Sequence, residues 1–346
     1  MTRLDTGDLP DLLALRSADE DSAILTSRQW PAKRRDIIRR LEPLLGQMPA
    51  EAPPLRPQVL GQTDEPKYLL QKVEYRVEAG ETCRAWLLMP RPLAHRQPAI
   101  VCCHPRVEQG KDELAGVQGH RQLALAKELA GRGFVCLAPD CLTAGERVYP
   151  GQGAFEATPY YEQHPSSSLM GKMLWDHQRA LDFLCMLDAV DSDRLGVIGH
   201  GLGGQNAIML AAFDHRVKVA GASCAYAPFA ADEKPERWGG YLPGLKGYFE
   251  RGEHPPFLWV EALALLAPRA FHYTYALEDS VYPAGRAVAE DMLKLGRLYD
   301  LLGCRQKFIY HEHPGDHEYP KAAREEAYRL FKAVLQDGRG GQDDKA

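Results

Sequence analysis

The stretch GVIGHGLGGQN at residues 196–206 has the outline of a strand that enters a tight glycine turn and continues into a helix. Two kinds of site use this outline. Gly199, Gly201 and Gly204 match G-x-G-x-x-G, the turn that holds a dinucleotide phosphate at a helix N-terminus. The same stretch matches the nucleophile elbow G-x-S-x-G, except that Gly201 stands where that motif has its serine.

The residues that follow the turn discriminate between these two chemistries. A dinucleotide site requires an acidic residue about 20 residues further on to hold the ribose, but Cys224 and Ala225 stand there. A nucleophile elbow requires an acid after a later strand and a histidine after the last one. Asp279 in ALEDSVYP and His317 in HPGDHEYP meet these requirements in that order. We therefore interpret the turn as a nucleophile elbow without its nucleophile.

Strand and helix patterns alternate from about residue 67 onward, which predicts an α/β fold with a mostly parallel sheet covered on both faces. YLLQKVEYRV and CRAWLLM predict a hairpin, and the total is about eight strands. The later strands are predicted at 98–104, 134–140, 194–200, 217–224, 269–276 and 306–313. The helices predicted between them include 119–131, 172–187, 204–213 and 284–302.

Residues 1–66 are predicted to form a helical extension and a proline-rich linker, followed by the α/β domain at 67–335 and a disordered tail at 336–346. Two long segments without clear periodicity, 141–171 and 226–262, follow predicted strand ends, where open α/β sheets place their ligand sites. We expect them to be lid-like insertions. The helix of the extension carries basic residues that we expect on a solvated face: Lys33, Arg34, Arg35, Arg39 and Arg40.

Composition excludes several classes of protein. The 346 residues are 45% hydrophobic and 26% charged, as in ordinary globular proteins. A net charge of −5 argues against a nucleic-acid partner, because nucleic-acid-binding proteins are usually strongly basic. No apolar run suggests a membrane span, and the acidic N-terminus is unlike a signal peptide. The eight cysteines lack C-x-x-C spacing, so we expect no metal and a soluble cytoplasmic protein.

Across residues 67–335 the chain resembles the α/β-hydrolase superfamily, and within it the branch of dienelactone hydrolases and acetyl xylan esterases. The resemblance is carried, in family order, by HPRVEQGKDELAG, LAPDCLTAGE, GKMLWDHQRALDFL, VDSDRLGVIGHGLGGQNAIMLAAFDHRVK, LEDSVYP and HPGDHEYP. It implies an eight-stranded sheet, hydrolysis of ester-type bonds and no cofactor. It matches Asp279 to the acid and His317 to the base of a catalytic triad, with Gly201 at the position of the serine.

Two backbone N–H groups are expected to form an oxyanion hole. The N–H of Leu202 follows the nucleophile position at a helix N-terminus, and alignment with the family indicates Arg106 for the second. The substrate is expected to be a small ester or lactone-like molecule, and a homodimer is compatible with the sequence. The residues expected to line the substrate pocket are His104, His200, Tyr226 and Phe229.

Three functions are compatible with the absence of a serine. The first is an esterase-like hydrolase whose nucleophile has been replaced. The second is a lyase, cyclase or isomerase that uses the His317–Asp279 pair alone, and the third is a non-catalytic ligand-binding protein. Glu278 is an alternative acid. Cys103 and Cys224 are alternative nucleophiles, although a buried structural thiol is the better interpretation of both.

Overall fold

A nine-stranded sheet forms the centre of the protein. The computed structural model describes residues 26–93 and 96–337. The strands lie in the order β1-β2-β3-β5-β4-β6-β7-β8-β9. β1, β2, β3 and β5 pair antiparallel, and all pairs from β5 to β9 along the sheet are parallel. Their bounds are β1 Gln58–Asp64, β2 Tyr68–Glu78, β3 Glu81–Pro90, β4 Gln97–Cys103, β5 Val135–Pro139, β6 Val190–His200, β7 Val217–Ser223, β8 Ala270–Ala276 and β9 Phe308–His313.

Helices cover both faces of the sheet, as the alternating pattern predicts. In the described part of the chain they are α1 Trp30–Leu41, α2 Lys111–Ala115, α3 Leu125–Ala130, α4 Thr158–Gln163, α5 Leu169–Cys185, α6 Leu202–Phe213, α7 Lys246–Arg251, α8 Trp259–Ala264, α9 Gly285–Leu301 and α10 Lys321–Leu335. The apolar residues of α1, α5, α6, α8 and α9 share one hydrophobic cluster, and those of α2, α3 and α10 share another. None of these helices is long and apolar enough to cross a membrane.

Strand β1 lies inside the segment that the sequence predicts to be a linker. All seven of its residues are exposed, so it lacks the apolar alternation by which a half-buried strand is recognised. Backbone pairing with β2 holds it at the edge of the sheet. The predicted helix at 119–131 also differs, because α3 begins only at Leu125, after a 3-10 turn at Arg121–Leu123.

Helix α1 packs against the α/β domain. Ile37 and Leu41 are fully buried in the same hydrophobic cluster as the central strands. The expectation of a solvated basic face is wrong for Lys33 and Arg40. Lys33 is 3% exposed and lies 3.7 Å from the buried carboxylate of Glu261, and Arg40 donates to that carboxylate at 2.7 Å. Residues 1–25, and the predicted tail beyond residue 337, lie outside the described residues.

Candidate active site

The turn between β6 and α6 consists of Gly201 alone. Its φ of 54° and ψ of −120° place it in the positive-φ region, as the sequence predicts, where glycine has no steric penalty. The neighbouring glycines permit close backbone approach: a Cβ at Gly203 would lie 2.0 Å from the carbonyl oxygen of Cys103. Helix α6 therefore begins directly at the carboxyl end of the central strands, with Leu202 as its first residue.

His317 and Asp279 meet beside this turn. Asp279 follows β8, His317 follows β9, and His317 Nδ1 lies 2.9 Å from Asp279 Oδ2. Asp279 Oδ1 also accepts the N–H groups of Val281 and Tyr282 at 2.9 and 2.8 Å. Burial acts to raise the pKa of Asp279, but the hydrogen bond and charge of His317 and the two N–H donors bring this pKa below its usual value. The ionised carboxylate thus fixes the orientation of the imidazole.

The alternative acid, Glu278, makes a different contact. Its carboxylate accepts the backbone N–H of Gly315. Asp279 therefore supplies the carboxylate that contacts His317, and Glu278 stabilises the loop that carries the histidine.

The second ring nitrogen of His317 faces position 201. A Cβ built on Gly201 would lie 3.0 Å from His317 Nε2, and the next residue, apart from the two chain neighbours, would be Pro105, with its Cβ 3.9 Å away. A side-chain hydroxyl at position 201 would therefore lie within hydrogen-bonding reach of the imidazole. The geometry is that of a serine triad in which the base and the acid are present and the hydroxyl is missing.

Two backbone N–H groups are available beside Gly201. Among the described residues, neither Leu202 N–H nor Arg106 N–H donates a hydrogen bond to another group of the protein. Leu202 opens the 12-residue helix α6, whose N-terminal partial positive charge favours an oxyanion. Arg106 follows Pro105 in the turn after β4, on the side of Gly201 from which Pro105 approaches. The oxyanion hole predicted from these two residues stays a proposal.

The two predicted lid segments contact each other close to Arg106. The Arg106 guanidinium lies 4.5 Å from the centre of the Phe155 ring, and it also interacts with the Tyr241 hydroxyl. Tyr161 Oη donates to the carbonyl oxygen of Gly240 at 2.7 Å, which joins the segments directly. Each segment thus contributes an aromatic residue to the environment of the Arg106 side chain.

Comparison with known proteins agrees with this geometry. Residues 87–237 match the dienelactone hydrolase family. The chain has the α/β-hydrolase fold and carries a dienelactone hydrolase family domain. The match includes Arg106, Gly201 and Leu202 but ends before Asp279 and His317, so the pairing of these last two residues rests on the structure.

Relatives and structural neighbours extend over most of the chain. Putative hydrolase YtaP of Bacillus subtilis (strain 168) is 26% identical over 314 residues, which cover 88% of this chain and 99% of that protein. A glucuronoyl esterase from Solibacter usitatus has a TM-score of 0.74 at 19% identity, covering 96% of this chain and 99% of its own. A structure described as a putative acetyl xylan esterase from Bacteroides fragilis NCTC 9343 has a TM-score of 0.65 at 17% identity. The match covers 88% of this chain and 83% of that chain. The chain is therefore similar to hydrolases of the dienelactone hydrolase and esterase type.

The four residues expected to line the substrate pocket are buried, and each is at most 2% exposed. His104 accepts the N–H of Cys141 at 3.0 Å through Nε2, while its Nδ1 lies 2.7 Å from the carbonyl oxygen of Pro105. Tyr226 packs against Trp259 and Phe229 against Trp238, and all four rings belong to the second lid segment. In this structure the four side chains contact other residues of the protein, and their assignment to the substrate pocket stays a prediction. The four residues are His104, His200, Tyr226 and Phe229.

The ring of His200 packs against the imidazole of His317. The two ring centres are 4.6 Å apart, and His200 Nδ1 lies 3.1 Å from Ser223 Oγ. Burial and the neighbouring His317 ring lower the pKa of His200 to about 3. His200 therefore stays neutral at physiological pH and supports His317 without placing a second positive charge beside it.

Tyr282 and Gln205 belong to the surroundings of the site but were not recognised in the sequence. The Tyr282 ring lies 5.8 Å from the His317 ring, and Gln205 Nε2 donates to Tyr282 Oη at 2.6 Å. The guanidinium of Arg237, in the second lid segment, lies over the Tyr282 ring, 4.7 Å from its centre. The available signal was the spacing, since Tyr282 follows Asp279 by three residues and Gln205 lies in the first turn of α6.

The two candidate replacement nucleophiles are buried thiols. Cys224 Sγ, an Asp279 oxygen and a His317 nitrogen lie within 4.8 Å of one another. Burial raises the pKa of Cys224 to about 12 and that of Cys103 well above its usual value, so both stay protonated. Cys224 Sγ donates to the carbonyl oxygen of Glu318 at 3.4 Å. In this structure the Cys224 thiol is thus held by the backbone of the loop that follows His317.

A cluster of buried charges anchors the first lid segment. Arg147 Nη1 donates to Asp176 Oδ2 at 2.7 Å and to the carbonyl oxygen of Asp140 at 3.1 Å. Lys172 Nζ donates to Asp176 Oδ1 at 2.9 Å and lies 2.7 Å from Glu81 Oε2. Burial acts to raise the pKa of Asp176, but the two cations bring this pKa below its usual value. Asp176 thereby connects α5 to the base of the segment that carries Phe155.

Buried neutral histidines predict a loss of stability in acid. Burial lowers the pKa of His177 to about 4, against about 6.5 in an unfolded chain. Below about pH 6.5 the unfolded chain binds a proton that the folded chain does not, so stability falls as the pH falls toward 4. The slope is about 1 kcal/mol per pH unit for one histidine. Asp291 acts in the opposite direction, because burial raises its pKa to about 6 and its protonation stabilises the folded state in acid.

A variant isolates the contribution of His177. We expect His177→Asn to flatten the dependence of unfolding free energy on pH between 6.5 and 4 relative to the parent protein. Urea unfolding at several pH values measures this difference. The exposed His215 provides the control, because His215→Asn should leave the slope unchanged. Equal slopes in the parent and His177→Asn would contradict the prediction.

Proposed function

We propose that the protein binds a small carboxylic ester or lactone and hydrolyses it with water in place of the missing serine hydroxyl. The observation that carries the proposal is the position of His317 Nε2, 3.0 Å from where a Cβ at Gly201 would stand. A base oriented by a carboxylate, beside two unengaged backbone N–H groups, supports acyl chemistry. The dienelactone hydrolase family domain supports the same class of reaction.

The proposed reaction is a single displacement. His317 Nε2 accepts a proton from water as the water oxygen attacks the ester carbonyl carbon. The N–H groups of Leu202 and Arg106 stabilise the negative charge that develops on the carbonyl oxygen. The protonated imidazole then donates its proton to the oxygen of the departing alcohol, and Asp279 balances its charge throughout. The products are the carboxylic acid and the alcohol, and His317 returns to its starting state.

The absence of a covalent nucleophile sets the expected rate. A serine enzyme divides acyl transfer into two easier steps, whereas direct attack by water does not. Enzymes that lose one triad residue keep about 10³–10⁴-fold acceleration over the uncatalysed reaction through the oxyanion hole and substrate binding. We therefore expect slow but measurable hydrolysis.

The structural neighbours suggest which esters to test first. The neighbours include proteins named as glucuronoyl and acetyl xylan esterases. We propose small acyl esters, acetylated sugars, methyl esters of uronic acids and lactones as a substrate panel. Tyr282, whose ring lies 5.8 Å from the His317 ring, and Arg106 are the side chains that we propose to contact the substrate.

Replacement of His317 tests the proposed function. His317→Ala should lower the residual hydrolysis by about 10²-fold or more, which is the contribution expected of a positioned general base. Initial rates on the panel, corrected for uncatalysed hydrolysis, measure the effect. His215→Ala provides the control, because it makes the same substitution at an exposed histidine that follows the far end of α6.

Three other outcomes would count against this function. Hydrolysis that is unaffected by His317→Ala would show that the ester is cleaved elsewhere. Saturable binding of the esters without turnover in the parent protein would favour a ligand-binding function. A lyase or isomerase would instead consume a substrate without forming a carboxylic acid, and product analysis would reveal this.

A further inference from the structure

Gly201 leaves space beside the one ring nitrogen of His317 that the protein does not engage. Asp279 holds Nδ1, whereas Nε2 points at the position of a Cβ that Gly201 lacks. Apart from His317 and the two chain neighbours of Gly201, the nearest atom to this position is Pro105 Cβ at 3.9 Å. The His317 side chain is 20% exposed. A small molecule from solution can therefore reach the base at the place where a serine hydroxyl would be.

A base in this arrangement does not distinguish water from another small hydroxyl compound by charge. His200, which lies against the His317 ring, is neutral, so it neither repels nor attracts an approaching group. Both water and a primary alcohol offer an O–H to Nε2 and an oxygen lone pair to an ester carbonyl. Selection between them is expected to depend on size at position 201, because Pro105 Cβ lies only 3.9 Å from the position of a Cβ there.

We infer that the site also transfers acyl groups directly to small external nucleophiles, namely short primary alcohols and hydroxylamine. This inference rests on the proposed function. The alcohol oxygen forms a bond to the carbonyl carbon while His317 Nε2 takes the alcohol proton. The bond from that carbon to the original alkoxy group breaks, and this group leaves with the proton from His317. One ester and one alcohol are consumed, one ester and one alcohol are formed, and no bond to the protein is made.

A mechanism without an acyl-protein intermediate has a distinctive signature. In a covalent mechanism, esters that share an acyl group give the same intermediate, so the ratio of transfer to hydrolysis is independent of the leaving group. In a single displacement the nucleophile reacts while the leaving group is still attached. The ratio of methyl ester to free acid should therefore differ between two leaving groups.

The experiment uses the full chain with 4-nitrophenyl acetate and phenyl acetate, in the presence of methanol or 2-propanol. We expect methyl acetate in a ratio to acetic acid that depends on the leaving group. Methanol should be preferred over the bulkier 2-propanol by about tenfold, because an overfilled site repels the larger group. Hydroxylamine should give acetohydroxamic acid. His317→Ala measures the uncatalysed background and should abolish the excess of all these products.

Two variants at position 201 complete the test. Gly201→Ala places a methyl group in the space proposed for the nucleophile, so the ratio of methyl transfer to hydrolysis should fall by about tenfold. Gly201→Ser restores a covalent route, and its transfer ratio should become independent of the leaving group.

The outcomes separate this inference from the proposed function. Hydrolysis that depends on His317 but yields no methyl ester or hydroxamate would overturn the inference and leave the proposed function standing. A transfer ratio that is independent of the leaving group in the parent protein would also overturn it, since it would indicate a covalent intermediate. If His317→Ala keeps both hydrolysis and transfer, the inference and the proposed function are both overturned.

Discussion

Gly201→Ser should convert the protein into an efficient acyl esterase, with kcat raised by about 10³-fold or more. The reason is that triad residues act as a unit, and two of the three are already in place. His317 Nε2 faces position 201, and Asp279 holds the opposite ring nitrogen at 2.9 Å. The Leu202 N–H already lies at the start of α6, next to the position of the new hydroxyl. Steady-state hydrolysis of small acyl esters measures the gain.

The same substitution should destabilise the protein slightly. A non-glycine residue at φ 54° carries backbone strain of about 1 kcal/mol. The new Cβ would also lie 3.0 Å from His317 Nε2, so the imidazole must move by a few tenths of an ångström. The partial exposure of His317 permits this movement. Urea unfolding of the parent and the variant should show a small loss of stability accompanying the large gain in activity.

Two control variants make the prediction specific. Gly201→Ala introduces the same backbone strain and the same Cβ without a hydroxyl, so it should lose stability and gain no esterase activity. His317→Ala in the Gly201→Ser background should abolish the gain. A stable Gly201→Ser protein that shows neither faster hydrolysis nor a burst of the first product on any ester of the panel would contradict the arrangement proposed here.

The elbow and the His317–Asp279 contact could be predicted from sequence because both follow local rules. A turn of glycines between an apolar strand and a helix has few possible geometries. The carboxyl ends of parallel strands meet at one edge of the sheet, so residues that follow β8 and β9 are brought near the residue that follows β6. Sequence order was therefore enough to place Asp279, His317 and Gly201 together.

Features that depend on distant partners could not be predicted in this way. Lys33 and Arg40 have the sequence pattern of a solvated helix face. In the structure they instead form ion pairs with the buried carboxylate of Glu261, which lies far along the chain. His200 stands next to the elbow in sequence and was expected in the pocket. Its ring packs 4.6 Å from the ring of His317, a contact between residues far apart in the chain that the local sequence pattern does not show. β1 is held by backbone pairing alone, which leaves no apolar pattern in its sequence.

The buried charge cluster predicts the largest loss of stability. Asp176→Asn should lower the unfolding free energy by about 3–5 kcal/mol, because it leaves Arg147 and Lys172 buried without their shared carboxylate. Both cations are at most 5% exposed, so water cannot replace the lost charge. Chemical unfolding measures the change. The carboxylates that remain are more exposed than Asp176, which is 2% exposed: Glu81, which contacts both cations, is 34% exposed, and Glu78, which contacts Lys172, is 25% exposed.

The control for Asp176→Asn is the exposed pair Arg286–Glu290 on α9. Their side chains are 96% and 61% exposed and lie 3.6 Å apart, so Glu290→Gln should have almost no effect on stability. In the Gly201→Ser background, Asp176→Asn should also reduce esterase activity, because Arg147 links Asp176 to the backbone at Asp140, where the first lid segment begins. Equal stability losses in the two charge variants would contradict a special contribution from burial. A large stability loss with unchanged esterase activity would mean that the cluster supports the fold without positioning the lid over the site.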